Sequence, residues 1–136
     1  MLPEFNKIGY LLPGLHRSDF TEVQRRFGNT DRRRELLRNL YDFVNVARKV
    51  GASRIILDGS FVTDKEEPND IDAILVVPDN LDTTTCEVRI LLESKIQFNI
   101  HLFPVRESDE EFLQQWIEFL GHDRNGEPRG LVEVLL

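Results

Sequence analysis

Two apolar runs joined by a polar loop constrain this chain more than any other feature of its sequence. The first run, 55–57, ends in Asp-Gly-Ser, and the second, 70–77, opens with an Asp-x-Asp triplet made by Asp70 and Asp72. Runs of this length that are rich in Ile and Val predict strands buried on both faces. Because strand side chains alternate, we expect Asp70 and Asp72 on one side, roughly 6.5 Å apart along the strand. Such carboxylates are costly unless they reach solvent, are paired or bind a metal.

This pattern resembles the signature of the nucleotidyltransferase superfamily that includes DNA polymerase beta and the minimal nucleotidyltransferases. That signature is an apolar strand, Gly-Ser or Gly-Gly, a spacer of similar length, and an Asp-x-Asp flanked by apolar residues. The resemblance implies that Gly59 and Ser60 bind the phosphates of a nucleoside triphosphate and that Asp70 and Asp72 hold Mg²⁺ or Mn²⁺. Lys65 in the intervening loop is a candidate triphosphate ligand, although a solvated loop lysine is the commoner case. The alternative interpretation of the motif is a plain loop with carboxylates at a solvated strand start.

A third carboxylate completes the site in that superfamily, on the strand beside the Asp-x-Asp strand. Carried onto this sequence, its position falls on Asn99, within a predicted third strand over 97–103. An amide oxygen can ligate a metal, but it carries no charge and accepts no catalytic proton. His101, on the same predicted strand face, is a substitute base, although a strand histidine is more often a hydrogen-bonded structural residue. Glu93 is a second substitute.

Length and composition predict one domain with an ordinary core. The 136 residues divide into an N-terminal arm and short helix (1–28), a core with the motif (29–104), and a C-terminal helix and strand (105–136). The net charge of −7 makes general nucleic-acid binding an unfavoured function. The chain has one cysteine, Cys86, and shows neither a signal-peptide core nor a long apolar span. We therefore expect a cytoplasmic protein that does not enter a membrane.

Hydrophobic periodicity and turn signals predict the remaining elements. Residues 1–17 are expected to form an irregular arm, Ser18 to cap the first helix, and Ser108 with Glu111 to form a capping box on the last. The predicted helices cover 18–27, 31–50, 81–96 and 108–120, and the predicted strands cover 54–57, 70–77, 97–103 and 130–136. This alternation indicates an α+β (α/β-type) domain, a small mixed β-sheet flanked by helices. The resemblance specifies the nucleotidyltransferase fold.

Three side-chain placements follow from the helical periodicity. On the helix over 31–50, Tyr41 is expected among the core-facing residues and Arg32–Arg34 are expected to face solvent. On the last helix, Trp116 is expected in the core.

Two functions remain open at this point. The first is transfer of a nucleoside monophosphate from a triphosphate, preferably ATP, to a hydroxyl of a protein or small molecule. The flanking segments resemble a small bacterial branch whose model is an antitoxin that nucleotidylates a HEPN-type toxin. With no separate acceptor domain evident, the acceptor or a second subunit of a homo-oligomer would complete the cleft. The second is a degenerate, non-catalytic binding module or antitoxin, supported by Asn99.

Overall fold

A five-stranded mixed β-sheet lies at the centre of the computed structural model, which describes residues 1–136 without a gap. Its strands are β1 (Leu15–Ser18), β2 (Arg54–Asp58), β3 (Ile71–Val77), β4 (Ile100–Arg106) and β5 (Leu131–Val134). The helices are α1 (Phe20–Phe27), α2 (Asp31–Lys49), α3 (Cys86–Leu92), α4 (Ser94–Phe98) and α5 (Glu110–Leu120). The spatial order is β1-β5-β2-β3-β4, with β2 antiparallel to both neighbours and the outer pairs parallel. The predicted α+β class with a small mixed sheet is confirmed.

The helices cover the two faces of the sheet unequally. A cluster of 22 buried residues, which includes Ile71 and Leu75 of β3, fills the face against α1 and α2. The opposite face carries a cluster of only six buried residues, Ile56 and Ile74 among them, packed under α5. Because strand residues alternate, the carboxylates at the end of β2 and the start of β3 share this second face. They lie beyond the apolar contacts of α5, where a cleft can form.

The predicted helix ends are close to the observed ones, but the capping residues differ. Asp19 caps α1, because its Oδ1 accepts from the Glu22 N–H at 2.8 Å, while Ser18 belongs to β1. Asp109, not Ser108, caps α5. The expected irregular arm is wrong for Leu15–Ser18, which pairs with β5 at the far end of the sequence. A pairing between the two chain ends leaves no local signal.

The segment before β4 departs furthest from the prediction. Two short helices, α3 and α4, replace the single helix expected over 81–96. Asn99 ends α4 in the left-handed region, with a φ of 57°, so β4 starts three residues later than the predicted strand. Pro104 lies within β4 rather than ending it. A proline is tolerated there because β4 is an edge strand.

Two aromatic residues predicted in the core are more exposed than expected. Tyr41 is 55% exposed and meets the Phe20 ring edge-on. Trp116 is only partly buried, with its ring centroid 4.9 Å from that of Phe103. No helix of the chain is long and apolar enough to cross a membrane.

Two arginines of α2 hold the loop of the motif, against the prediction that 32–34 face solvent. Arg33 is 1% exposed. Its guanidinium donates to the carbonyls of Phe61 and Thr63, at 2.7 Å each, and to that of Lys65. Arg32 donates to the loop farther along, at the Pro68 carbonyl. Burial lowers the pKa of Arg33 to about 10, so this side chain remains charged at neutral pH.

Replacing Arg33 tests whether it holds the loop. We expect Arg33→Met to lower the free energy of unfolding by about 3 kcal/mol, because at least two buried carbonyls lose their donors. Arg34→Met is the matched control: Arg34 is its neighbour on α2 and its side chain is 51% exposed. This control should change stability by about 0.5 kcal/mol or less. Equal denaturant midpoints for the two variants would contradict the assignment.

Candidate functional site

Three side chains form a row across the face of the sheet that α5 covers in part. The register pairs Asp58 of β2 with Asp72 of β3, and Asp72 with His101 of β4. Directly paired residues of neighbouring strands project to the same face of a sheet. The Nδ1 atom of His101 lies 3.4 Å from Oδ1 of Asp72. The row therefore contains Asp72 and His101, which the sequence identifies as candidates, and Asp58, which it does not.

Gly59 brings the backbone of the motif against the Asp72 carboxylate. Its φ is +77°, and a Cβ placed on it would lie 2.2 Å from Oδ2 of Asp72. Only glycine meets both conditions without displacing the carboxylate. The Gly59–Val62 segment forms a 3-10 turn, which Thr63 closes by donating its hydroxyl to the Ser60 carbonyl at 2.7 Å. The turn thus holds the Gly-Ser backbone beside the row of side chains.

Asp58 is a buried carboxylate with an oxygen that has no partner. The residue is 1% exposed, and Oδ2 accepts no hydrogen bond. Burial, and after it the negative charge of Asp72, raises the pKa of Asp58 to about 8, while Arg129 opposes the shift. Burial, and after it Asp70, also raises the pKa of Asp72. The site is thus short of positive charge, and a bound cation would stabilise both carboxylates.

Asp70 lies one residue before β3, and its negative charge contributes to the raised pKa of Asp72. Its carboxylate pairs with Lys95 of α4, whose side chain is 59% exposed. An exposed lysine can move away at little cost, because exposed ion pairs contribute about 0–1 kcal/mol. Asp70 is therefore available to a ligand that competes with Lys95.

A cavity of about 390 Å³ is lined by three parts of the chain that are distant in sequence. The motif contributes Gly59, Ser60 and Asp72, and the N-terminal arm contributes Tyr10. The turn after α5 contributes Asp123, Arg124, Asn125 and Arg129. The sequence predicts this turn as a turn only. The turn is about 50 residues from the Asp-x-Asp motif in sequence, and no local pattern links the two. The sequence therefore carries no signal that identifies Arg124 and Arg129 as site residues.

The other predicted site residues, Asp70 and His101 among them, do not line this cavity. Lys65 is exposed and does not line it, although its backbone carbonyl is bound by Arg33. Asn99 precedes β4, and its carbonyl accepts from the Ile71 N–H at 3.1 Å. The prediction that Asn99 is a mid-strand residue beside Asp72 is therefore wrong. Glu93 is exposed between α3 and α4 and accepts from the amide of Gln97.

The donor set suits a cation whose remaining ligands come from a bound phosphate. No group of three or more His, Cys, Asp or Glu side chains is arranged to hold a metal ion by itself. Mg²⁺ in proteins commonly takes one or two carboxylates together with substrate phosphates and water. Asp70 and Asp72 offer those two carboxylates, and the unpartnered oxygen of Asp58 lies beside them.

The pKa of Asp58 predicts how stability varies with pH. The folded state holds this proton up to about pH 8, whereas an unfolded Asp releases it near pH 4. The preferential binding of this proton by the folded state therefore stabilises the protein fully below about pH 4. This stabilisation is lost as the pH rises to about 8, and the free energy of unfolding falls by up to about 1.4 kcal/mol per pH unit.

We expect the Asp58→Asn variant to lack this contribution. Its unfolding free energy, measured by urea titration from pH 5 to 8, should fall less steeply with pH than that of the wild type. Asp42→Asn, the same change on the exposed surface of α2, should retain the wild-type slope. Parallel curves for wild type and Asp58→Asn would show that Asp58 ionises normally.

The comparisons with known proteins give a family and no function. The model of a family described as a family of unknown function, DUF6932, matches residues 3–135. No curated protein and no solved structure matches the chain.

Proposed function

The chain belongs to the DUF6932 family, whose description states no function, and we propose from its own site that it is a Mg²⁺-dependent nucleotidyltransferase with the nucleotidyltransferase fold. The reaction is transfer of a nucleoside monophosphate from a nucleoside triphosphate, preferably ATP, to a hydroxyl of a protein or a small molecule. The proposal rests on the chemistry that these side chains can perform together.

The buried, unpartnered Oδ2 of Asp58 is the observation that carries the proposal. A carboxylate that is 1% exposed and lies directly across the strands from Asp72 is unfavourable unless a proton or a cation compensates it. The pair adjoins Gly59, where the backbone closely approaches a carboxylate. We propose that Asp58 supplies the third acidic group of the site, the role that the superfamily resemblance assigns to the position of Asn99.

The roles of the residues follow from their positions. Asp70 and Asp72 would hold Mg²⁺, which supplies charge neutralisation at the phosphates. The Ser60 hydroxyl and the backbone N–H groups of the Gly59–Ser60 turn would bind phosphate oxygens. These groups orient the donor so that its α-phosphorus faces the acceptor.

His101 is the proposed general base. Its Nδ1 faces Asp72, which leaves Nε2 free to accept the proton of the acceptor hydroxyl. The acceptor oxygen attacks the α-phosphorus as the bond to pyrophosphate breaks, and pyrophosphate leaves with the electron pair. The His101 side chain is 58% exposed, so a large acceptor such as a protein can reach it. A HEPN-type toxin is the acceptor that the resemblance implies, and a second copy of the chain is a candidate for completing the cleft.

A non-catalytic binding module is the second candidate. The pairing of Asp70 with Lys95 and the contact of Asp72 with His101 favour it, because Asp70 already has a cationic partner and the His101 imidazole already lies beside Asp72. ATP labelled at the α-phosphate separates the two functions when a HEPN-type protein is offered as acceptor. Transfer of the label supports the enzyme, whereas complex formation without transfer supports the binding module.

Calorimetric titration with the nonhydrolysable α,β-methylene analogue of ATP tests the site itself. We expect the wild type to bind the analogue only when Mg²⁺ is present. Asp72→Asn should weaken that binding at least about tenfold, or about 1.4 kcal/mol, because one charged metal ligand is lost. Asp42→Asn is the matched control, with the same change on an exposed part of α2. Unaltered binding by Asp72→Asn, or none by the wild type, would rule out the site.

A further inference from the structure

The turn between α5 and β5 lines the same cavity as the nucleotidyltransferase-like motif. It brings two arginines, Arg124 and Arg129, to the side of the cavity that faces Gly59, Ser60 and Asp72. Lys65, the cation that the sequence suggests for phosphate binding, does not line this cavity. Positive charge there therefore comes from the last part of the chain.

Arg129 has hydrogen-bonding capacity that the protein leaves unused. Its Nε is buried and has no hydrogen-bond partner. Its guanidinium forms no ion pair and lies 5.9 Å from the centroid of the Tyr10 ring. Across the whole chain, the only other buried side-chain polar atom without a partner is Oδ2 of Asp58. The two unsatisfied groups have complementary needs: the Nε–H of Arg129 lacks a hydrogen-bond acceptor, and the Asp58 oxygen lacks a proton or a cation.

The turn is built to hold Arg129 in place. Oδ1 of Asp123 accepts from the backbone N–H groups of Asn125 and Glu127, at 2.8 and 2.9 Å. Its Oδ2 accepts from the Tyr10 hydroxyl at 2.7 Å, which ties the turn to the N-terminal arm. The Arg129 N–H donates to the carbonyl of Gly121 at 2.8 Å. Both oxygens of Asp123 thus accept hydrogen bonds within the turn and the arm, and neither accepts one from Arg129.

We propose that the 123–129 turn is the polyphosphate subsite of this protein, with Arg129 as its main phosphate-binding residue and Arg124 as a second. The inference rests on the proposed function, since it assigns the β- and γ-phosphates of the donor to this turn. A guanidinium donates several hydrogen bonds in a fixed plane and so matches phosphate oxygens in pairs. The ligand chemistry is a chain of phosphates, and the subsite excludes donors that lack one.

Inorganic tripolyphosphate isolates this subsite from the base, the sugar and the transfer step. We expect calorimetry to detect its binding to the wild type in buffer containing Mg²⁺. Arg129→Gln should weaken that binding by about tenfold to a hundredfold, because a charge-assisted hydrogen-bond donor is lost. Arg129→Lys should retain part of the affinity, and Arg124→Gln should lose less than Arg129→Gln. Arg106→Gln on β4, an exposed arginine outside the cavity, is the control and should bind as the wild type does.

Two results would overturn the subsite: no binding of tripolyphosphate by the wild type, or wild-type affinity in Arg129→Gln. Thermal melts show whether Arg129→Gln is folded. If it is not, wild-type affinity in both Arg129→Lys and Arg124→Gln overturns the subsite.

The same titrations with the ATP analogue separate this inference from the proposed function. Suppose that Arg129→Gln loses tripolyphosphate while Asp72→Asn binds the analogue as tightly as the wild type does. The subsite then stands and the transferase fails. If the analogue binds with Mg²⁺ and Arg129→Gln binds it equally well, the transferase stands and the subsite fails.

Discussion

The antiparallel register between β2 and β3 is the constraint on which the rest of the site depends. Ile56 pairs with Ile74 and Asp58 with Asp72, so along one face of the sheet an apolar pair is followed by an acidic pair. A slip of one residue would turn every side chain of a strand to the opposite face. It would bury the carboxylates against α2 and remove the apolar contacts of α5. The packing that stabilises the sheet therefore also fixes where the acids lie.

The last strand brings the two chain ends to this site. β5 lies between β1 and β2, although it is the final element of the chain. Glu133 of β5 is 3% exposed, and its carboxylate accepts from Nε and Nη2 of Arg54 on β2, at 2.9 and 2.8 Å. A buried pair of this geometry is costly to break on one side, so it disfavours other registers of β5. With β5 fixed, the turn that precedes it lines the same cavity as Gly59 and Ser60.

Local patterns predict the centre of this molecule well and its periphery poorly. The β2 and β3 strands and the need for glycine at position 59 follow from short-range apolar runs and turn chemistry, and the structure has them. The β1–β5 pairing is invisible locally because its partners are more than 110 residues apart. Arg33 appears as part of a solvated basic run, since its carbonyl partners lie about 30 residues away.

Two errors at the site have physical causes of their own. The alternation over 97–103 suits a strand, but α4 extends through Phe98 and displaces Asn99 into a helix cap. The position beside Asp72 consequently belongs to His101. Asp58 is not singled out by the sequence because an acid after an apolar run is an ordinary strand end. Only the register shows that it faces Asp72, buried and without a partner for one oxygen.

Paramagnetic broadening by Mn²⁺ tests the central claim most directly, namely that Asp70, Asp72 and the Gly59–Ser60 turn bind a metal–nucleotide complex. The measurement is a ¹⁵N–¹H spectrum of the labelled protein with the α,β-methylene analogue of ATP, to which Mn²⁺ is added below the protein concentration. The amide signals of Gly59, Ser60 and Asp72 are expected to broaden first. Broadening centred on the acidic start of α5, at Glu110 and Glu111, or spread evenly over the chain, would contradict it.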